Sequence, residues 1–453
     1  IRMASFVIDS DMFKDQYGTP EMRAVFSDEQ LMQNWLNAWV ALAEAETELG
    51  IVPKEAAEHI RECAKWENMN MDEVRNGFFT TSHPLMPQIR GFEKVCGKKA
   101  GGYIHWGATT QDIMDTAVVL QIKDAHRILT SQVKELLGLC LKRAKENQNL
   151  VMAGRTHGQH AVPITLGYKI AIWADEFGRH LERLEEGKSR YLVGQLAGAA
   201  GTLASLGDQG FNVQERYCKN LGLSVPITTW HVARDGFAEF ASTVAMIAGT
   251  VGKISNEFIN LERTEICELE ESFAMGKVGS STMPHKRNPM VCENILATVR
   301  IVQANAALSF GAMIQEHERD MSFWQTEWSY IPQICIMLDG AIAMLKIILE
   351  NMIVHEDRIR KNLYMTKGLI VSERAMLNLG HYLGRQNAHD VIYDGSMKAF
   401  EEDRMLLDVL LEDCRVTSKI NRETLEELLE PANYAGSCAA FVDRAMERWG
   451  DVG

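Results

Sequence analysis

Proline is scarce in this chain. There are ten in 453 residues, and none across 88–162, 227–283 or 333–430. Proline removes a helical N–H and clashes with the preceding turn, so stretches without it leave room for very long helices. Strand-like alternation is scarce too, and any strands are expected to be short and peripheral. The nine cysteines form no CxxC pair and their number is odd. That pattern predicts reduced thiols in a cytoplasmic protein and no zinc site. Positive charge is in deficit, 47 Lys and Arg against 61 Asp and Glu, for a formal net charge of −14. The balance argues against a nucleic-acid or anionic-membrane surface. A small anionic substrate is still compatible with it, because a local cationic loop can override the global sign. The opening residues, Ile1 to Ser5, lack an apolar signal core. The most apolar segment, Ile331 to Val354, is interrupted by Asp339, Lys346 and Glu350. Those charges are costly in a bilayer, so it reads as a buried core helix.

A chain of this length exceeds one simple core, and two or three domains are expected. One segment is unusually regular. Phe237, Phe240, Val244, Ile247, Val251, Ile254, Phe258 and Leu261 alternate steps of three and four, a sustained heptad seam. A helix from Asp235 to Cys267 would run roughly 50 Å and would lie against other helices for most of its length. Further helices are predicted at about 28–50, 111–147, 164–190, 290–310 and 331–352, with a shorter set over 355–450. The fold class is therefore all-α, with a long central helical bundle over 111–355 and two smaller flanking helical domains, 1–110 and 356–453. No internal repeat or low-complexity linker is present.

The chemistry concentrates in Gly279-Ser280-Ser281-Thr282-Met283-Pro284-His285-Lys286-Arg287-Asn288-Pro289. Lys286 and Arg287 can pair with carboxylates, and Asn288 can donate from its amide. Ser280 or Ser281 could accept a proton if positive charge and backbone donors activated the hydroxyl. A second block is Gly154-Arg155-Thr156-His157-Gly158-Gln159-His160. Its two histidines lack an acidic partner in sequence, which weakens a metal reading. Glu293, in the first turns of the next helix after the loop, could pair with such a histidine, favour its imidazolium and fix its tautomer. A third block joins His83 to His105-Trp106-Gly107-Ala108-Thr109-Thr110-Gln111-Asp112. Its hydroxyls fit either a helix N-cap or a carboxylate-binding turn. The glycine run from Gly194 to Gly207 lacks a Lys-Ser/Thr ending and reads as a bend or close packing rather than a phosphate loop.

Taken together these blocks resemble the fumarase/aspartase superfamily over nearly the whole chain. Residues 279–289 match its GSSxMPxKxNP loop, and the Arg155-Thr156-His157 and Gly107-to-Asp112 blocks follow in the expected order. The resemblance implies a homotetramer with a shared helical bundle, active sites built from three subunits, and no metal or organic cofactor. It implies anti elimination beside a carboxylate, with Ser280 as base, His157 as general acid and Glu293 as the acidic partner of that histidine. Lys286 and Asn288 resemble the carboxylate binders. Tyr17, His83, His105, Thr109, Thr110, Thr156, Arg319, Trp324 and Trp328 are the further substrate-binding candidates.

Two branches of the family share the features. Tyr17-Gly18-Thr19-Pro20-Glu21-Met22, His83, His105 and His157 resemble adenylosuccinate lyase. Gln16 stands where those enzymes carry Arg, and Phe323-Trp324-Gln325-Thr326-Glu327-Trp328 follows His317-Glu318-Arg319-Asp320 where they carry a phosphate clamp. The latter segment, with Trp230-His231 and residues 198–207, resembles 3-carboxy-cis,cis-muconate cycloisomerase. Cycloisomerases usually carry Trp at the His157 position and lack the Glu293 carboxylate. The resemblance thus implies a lyase acting on a small polycarboxylate, with C–N cleavage of an N-succinyl compound such as adenylosuccinate placed first and carboxymuconate lactonisation second. A non-catalytic protein retaining the fold is the reading of another class.

Overall fold

The computed structural model describes residues 6–272, 283 and 285–452, so Ser280, Ser281, Thr282 and Pro284 lie outside the described residues. The architecture is all-α. Its long helices include Asp28–Glu48, Thr110–Glu146, Leu166–Tyr191, Asp235–Leu261, Met290–Ala306 and Glu327–Asn351. Each covers one of the stretches predicted from periodicity. The strands among the described residues form two antiparallel pairs, Val151–Thr156 with Gln159–Thr165 and Leu269–Glu270 with Ile353–Val354.

The heptad seam behaves as its spacing demands. All eight of its apolar residues, Phe237 to Leu261, are buried. The helix ends at Leu261 rather than Cys267. Beyond it, Glu262 to Glu265 are polar, Cys267 takes a left-handed φ of 51°, and the Glu268 amide turns back to the Leu261 carbonyl at 2.8 Å. A residue in that region closes a helix instead of extending it.

By length and composition alone, Asp235–Leu261, Met290–Ala312 and Met321–Asn351 could cross a membrane. The apolar windows of the first and third are 67% buried within the chain, as core helices are. Two of the charges inside the last are matched: Asp339 accepts from the Thr19 hydroxyl at 2.5 Å, and Lys346 pairs with Glu135.

The chain divides into two compact units. The first comprises 1–132, 180–249 and 297–343, and the second 133–179, 250–296 and 344–453. Each boundary falls inside one of the long helices. Segment 1–110 lies wholly in the first unit and 356–453 wholly in the second. The first has a core built from the 28–48 helix, its neighbours over 54–100 and the start of the 110–146 helix, with Trp39, Phe92 and Tyr217 among its largest buried side chains. The second has a core drawn mostly from the helices between Glu356 and Leu428.

The Gly194–Gly207 run is a bend. Gly198, Gly201 and Gly207 have φ values of 78°, 81° and 53°, which only glycine adopts without strain. A Cβ at Gly201 would lie 2.7 Å from Thr229.

Candidate active site

The described candidates gather in two groups, one in each unit. In the second unit, His157 sits at the tip of a β-hairpin. Thr156 and Gln159 close the ladder, and His157 and Gly158 between them have φ values of 53° and 76°. Two central residues with positive φ are the mark of a two-residue type I′ turn. Glycine takes that geometry freely, whereas a histidine there is strained, a state that recurs at functional sites. The side chains of Thr156 and His157 are exposed.

Three glutamates hold this hairpin and the candidate loop to a common stem. Glu268 is fully buried and receives the Arg155 guanidinium on both oxygens at 2.9 and 2.7 Å, with the Asn362 amide at 2.8 Å. Glu270 pairs with Arg287 at 2.8 Å and with His355 at 2.9 Å. Burial pushes the Glu270 carboxyl up, but those two hydrogen bonds and their charges outweigh it and hold it below the usual range. Glu271 accepts the Val291 and Cys292 amides at 3.1 and 2.9 Å, capping the start of the 290–306 helix where its unpaired N–H groups carry partial positive charge. The C-terminal end of the 279–289 loop is thereby tied to the Leu269–Glu270 strand and the residue after it. Lys286 is exposed, Asn288 half-buried, and Glu293 exposed in the first turn of that helix. His157 and Glu293 are both exposed and make no hydrogen bond to each other.

In the first unit, the start of the 110–146 helix collects the other candidates. Asp112 accepts four hydrogen bonds: from the Thr109, Ala197 and Gly198 amides at 2.9, 3.0 and 3.0 Å and from His231 Nε2 at 2.7 Å. It therefore caps the helix by reaching back to the residue before it. The Thr109 and Thr110 hydroxyls are left for other work. Their oxygens accept from Arg319 at 2.6 and 3.2 Å, which frees each O–H to donate onward. Arg319 also holds Gln111 Oε1 at 3.2 Å. His83 and His105 are half-buried beside this group. The Arg319 charge and His83 act on each other, as do His83 and His105.

Beneath it lies a charged cluster that sequence reasoning missed. Arg234 is fully buried between Asp115, at 2.8 and 3.0 Å, and Glu327, at 2.8 Å on one oxygen with a second contact on the other. The rings of Trp230 and Phe237 lie against the guanidinium at 5.0 and 4.8 Å. Trp324 is buried and donates its indole N–H to Asp115 at 2.9 Å, while its ring meets Trp328 edge-on at 5.2 Å. Trp324 is thus packed into the scaffold beneath the Thr109–Arg319 group. Trp328 and Tyr17 are half-buried. Tyr17 lies against the 327–351 helix at Gly340, where a Cβ would come 2.6 Å from the Tyr17 carbonyl carbon. Among the described residues no group of three or more His, Cys, Asp or Glu is placed to hold a metal ion.

The family model described as "Lyase" matches residues 15–303, and the one described as "Adenylosuccinate lyase C-terminus" matches 368–445. The chain belongs to the fumarase/aspartase superfamily. This lyase is 42% identical to the N-acetyl-S-(2-succino)cysteine lyase of Enterococcus italicus, over 99% of its own length and 98% of that protein. It is 40% identical to the adenylosuccinate lyase of Methanocaldococcus jannaschii, over 95% of its own length and 94% of that one. Among solved structures it superposes on the 3-carboxy-cis,cis-muconate lactonizing enzyme of Pseudomonas putida with a TM-score of 0.93, at 36% identity, covering 98% of this lyase and all of that chain.

Proposed function

We propose that this lyase removes a thiol or an amine from a succinyl compound and releases fumarate, with a succinyl thioether of the S-(2-succino)cysteine kind as the first-choice substrate. The observation that carries this reading is the 42% identity, over nearly both full lengths, to a relative named for cleaving such a thioether. A second observation supports it against adenylosuccinate. The segment after Arg319, where a nucleotide phosphate would be held, instead sends Trp324 and Glu327 into the Asp115–Arg234 cluster. The segment from Met321 to Trp328 also carries no Lys or Arg to hold a phosphate.

In this reading Ser280 takes the proton beta to the leaving group. Lys286 and Asn288 meet the carboxylate as it becomes dianionic, where donors set in advance are worth most. His157, paired with Glu293 of a neighbouring protomer, protonates the departing atom. Arg319, His83, His105, Thr109 and Thr110 hold the rest of the substrate. The shared site implies a homotetramer. The Met290–Ala312 helix supports this, because only 39% of its apolar window is covered within one chain. The enzyme is placed in the cytoplasm. Carboxymuconate lactonisation is the second reading, favoured by the likeness to the lactonizing enzyme and opposed by His157 and Glu293.

The test is the reverse reaction. Fumarate and N-acetylcysteine in deuterated water should give, above the uncatalysed background, a thioether with one deuteron in a single diastereotopic position, read from proton coupling. A single base on one face requires that. Catalysed addition that scatters deuterium over both positions, or no catalysed addition with any thiol or amine, would overturn the proposal.

A further inference from the structure

The indole of Trp39 has only one hydrogen to give, and it gives it to His105 Nδ1 at 3.2 Å. An indole N–H donates and never accepts, so that ring nitrogen must be the unprotonated one. The remaining proton of His105 is then on Nε2. His83 is constrained in the same sense by backbone. Its Nδ1 accepts the Leu85 and Met86 amides, each at 3.2 Å, at the start of the Met86–Ala100 helix. An imidazolium would need a proton where each of these bonds needs a lone pair.

We propose that Trp39 is a positioning residue which, with the helix amides on His83, locks both histidines as neutral Nε2–H donors. Together with Arg319 and the Thr109 and Thr110 hydroxyls they form a cradle made only of donors. That cradle suits a carboxylate of the substrate and cannot relay a proton. This rests on the reading above that these residues touch substrate, and leaves all proton transfer to the other group of residues.

The surroundings agree with it. Burial pulls the His105 imidazole down to about 4, against the opposing pull of Asp112 and with help from His83. Asp112 is already saturated by its four donors, which weakens its claim on an imidazolium. Burial, then the Arg319 charge, holds His83 below the ordinary histidine value. His105 itself is kept in a left-handed backbone at φ 63°, followed by Gly107 at 69°, and a Cβ on Gly107 would strike Leu206 at 2.5 Å. Trp39 is fully buried and stacks on Phe92 at 5.7 Å, so its N–H is fixed in direction.

The test is ring nitrogen-15 NMR of the histidine-labelled full chain, with His105 identified by its loss in His105→Asn. In the wild type, His105 and His83 should each show a protonated Nε2 and a bare Nδ1, unchanged between pH 5.5 and 8.5. A protonated Nδ1, or a titration inside that range, overturns the proposal without reference to any substrate. In Trp39→Phe, which keeps the aromatic stack, His105 should become a tautomer mixture. Burial persists in that variant and still holds the His105 titration below the ordinary value of about 6.5, and kcat/KM should fall about tenfold. A Trp39→Phe variant with an unchanged His105 spectrum also overturns it. Absence of fumarate chemistry with any succinyl compound would instead sink the functional reading and leave the tautomers standing.

Discussion

Replacing His157 with Asn should lower kcat/KM by an amount that grows with the basicity of the leaving atom. An amine must be protonated as it leaves, and loss of a general acid typically removes ~10²–10⁴-fold. A thiolate, with a conjugate acid near 8.5, departs nearly unaided, so the loss for a thioether should be about tenfold. A series of succinyl thioethers of graded thiol acidity should give a shallow dependence in the wild type and a steep one in the variant. The same loss for every leaving group would remove His157 from the role of acid. The hairpin geometry makes Asn a fair replacement, since asparagine is among the residues that tolerate the positive φ of that turn.

The second large effect is on stability. Arg234→Met should destabilise the protein by ~3–5 kcal/mol, because removal of one partner leaves a buried charge uncompensated. Here two carboxylates, Asp115 and Glu327, are both fully buried and both depend on the same guanidinium. Burial and the Asp115 charge already push the Glu327 carboxyl up, with Arg234 opposing them. Without the arginine one of the two must take up a proton. The variant should therefore recover more stability than the wild type as pH falls. Urea unfolding at pH 5.5 and pH 8 checks both points. A variant within 1 kcal/mol of the wild type at pH 8 would mean that the cluster contributes little. Trp324 donates to Asp115, the same carboxylate that Arg234 holds, so the floor of the first group of site residues should loosen in the same variant.

Much of this was legible in the chain, for reasons that can be stated residue by residue. The 237–261 seam could be read because burial follows the helical period without exception. The loop and the His157 block could be found because their chemistry lies within a few consecutive residues. The hairpin was less visible. Its alternation is broken at Gly154, where the register shifts and a Cβ would meet the Val162 carbonyl at 2.6 Å, although the His157-Gly158 pair was a turn signal available to find. The Asp115–Arg234–Glu327 cluster was not legible, since its members are 119 and 93 residues apart and each alone reads as an ordinary surface charge. Trp39 was hidden for the opposite reason. An aromatic on the apolar face of a helix reads as core, which it is, and only the fold places its one N–H on a histidine 66 residues away.

Most direct of all is the yield of fumarate from a substrate panel given to the wild-type protein: N-acetyl-S-(2-succino)cysteine, adenylosuccinate, argininosuccinate and 3-carboxy-cis,cis-muconate. The expected result is one fumarate for each thiol released from the thioether, faster than from either succinyl amine, and no lactone from the muconate. Lactone formation with no fumarate from any succinyl compound would contradict it.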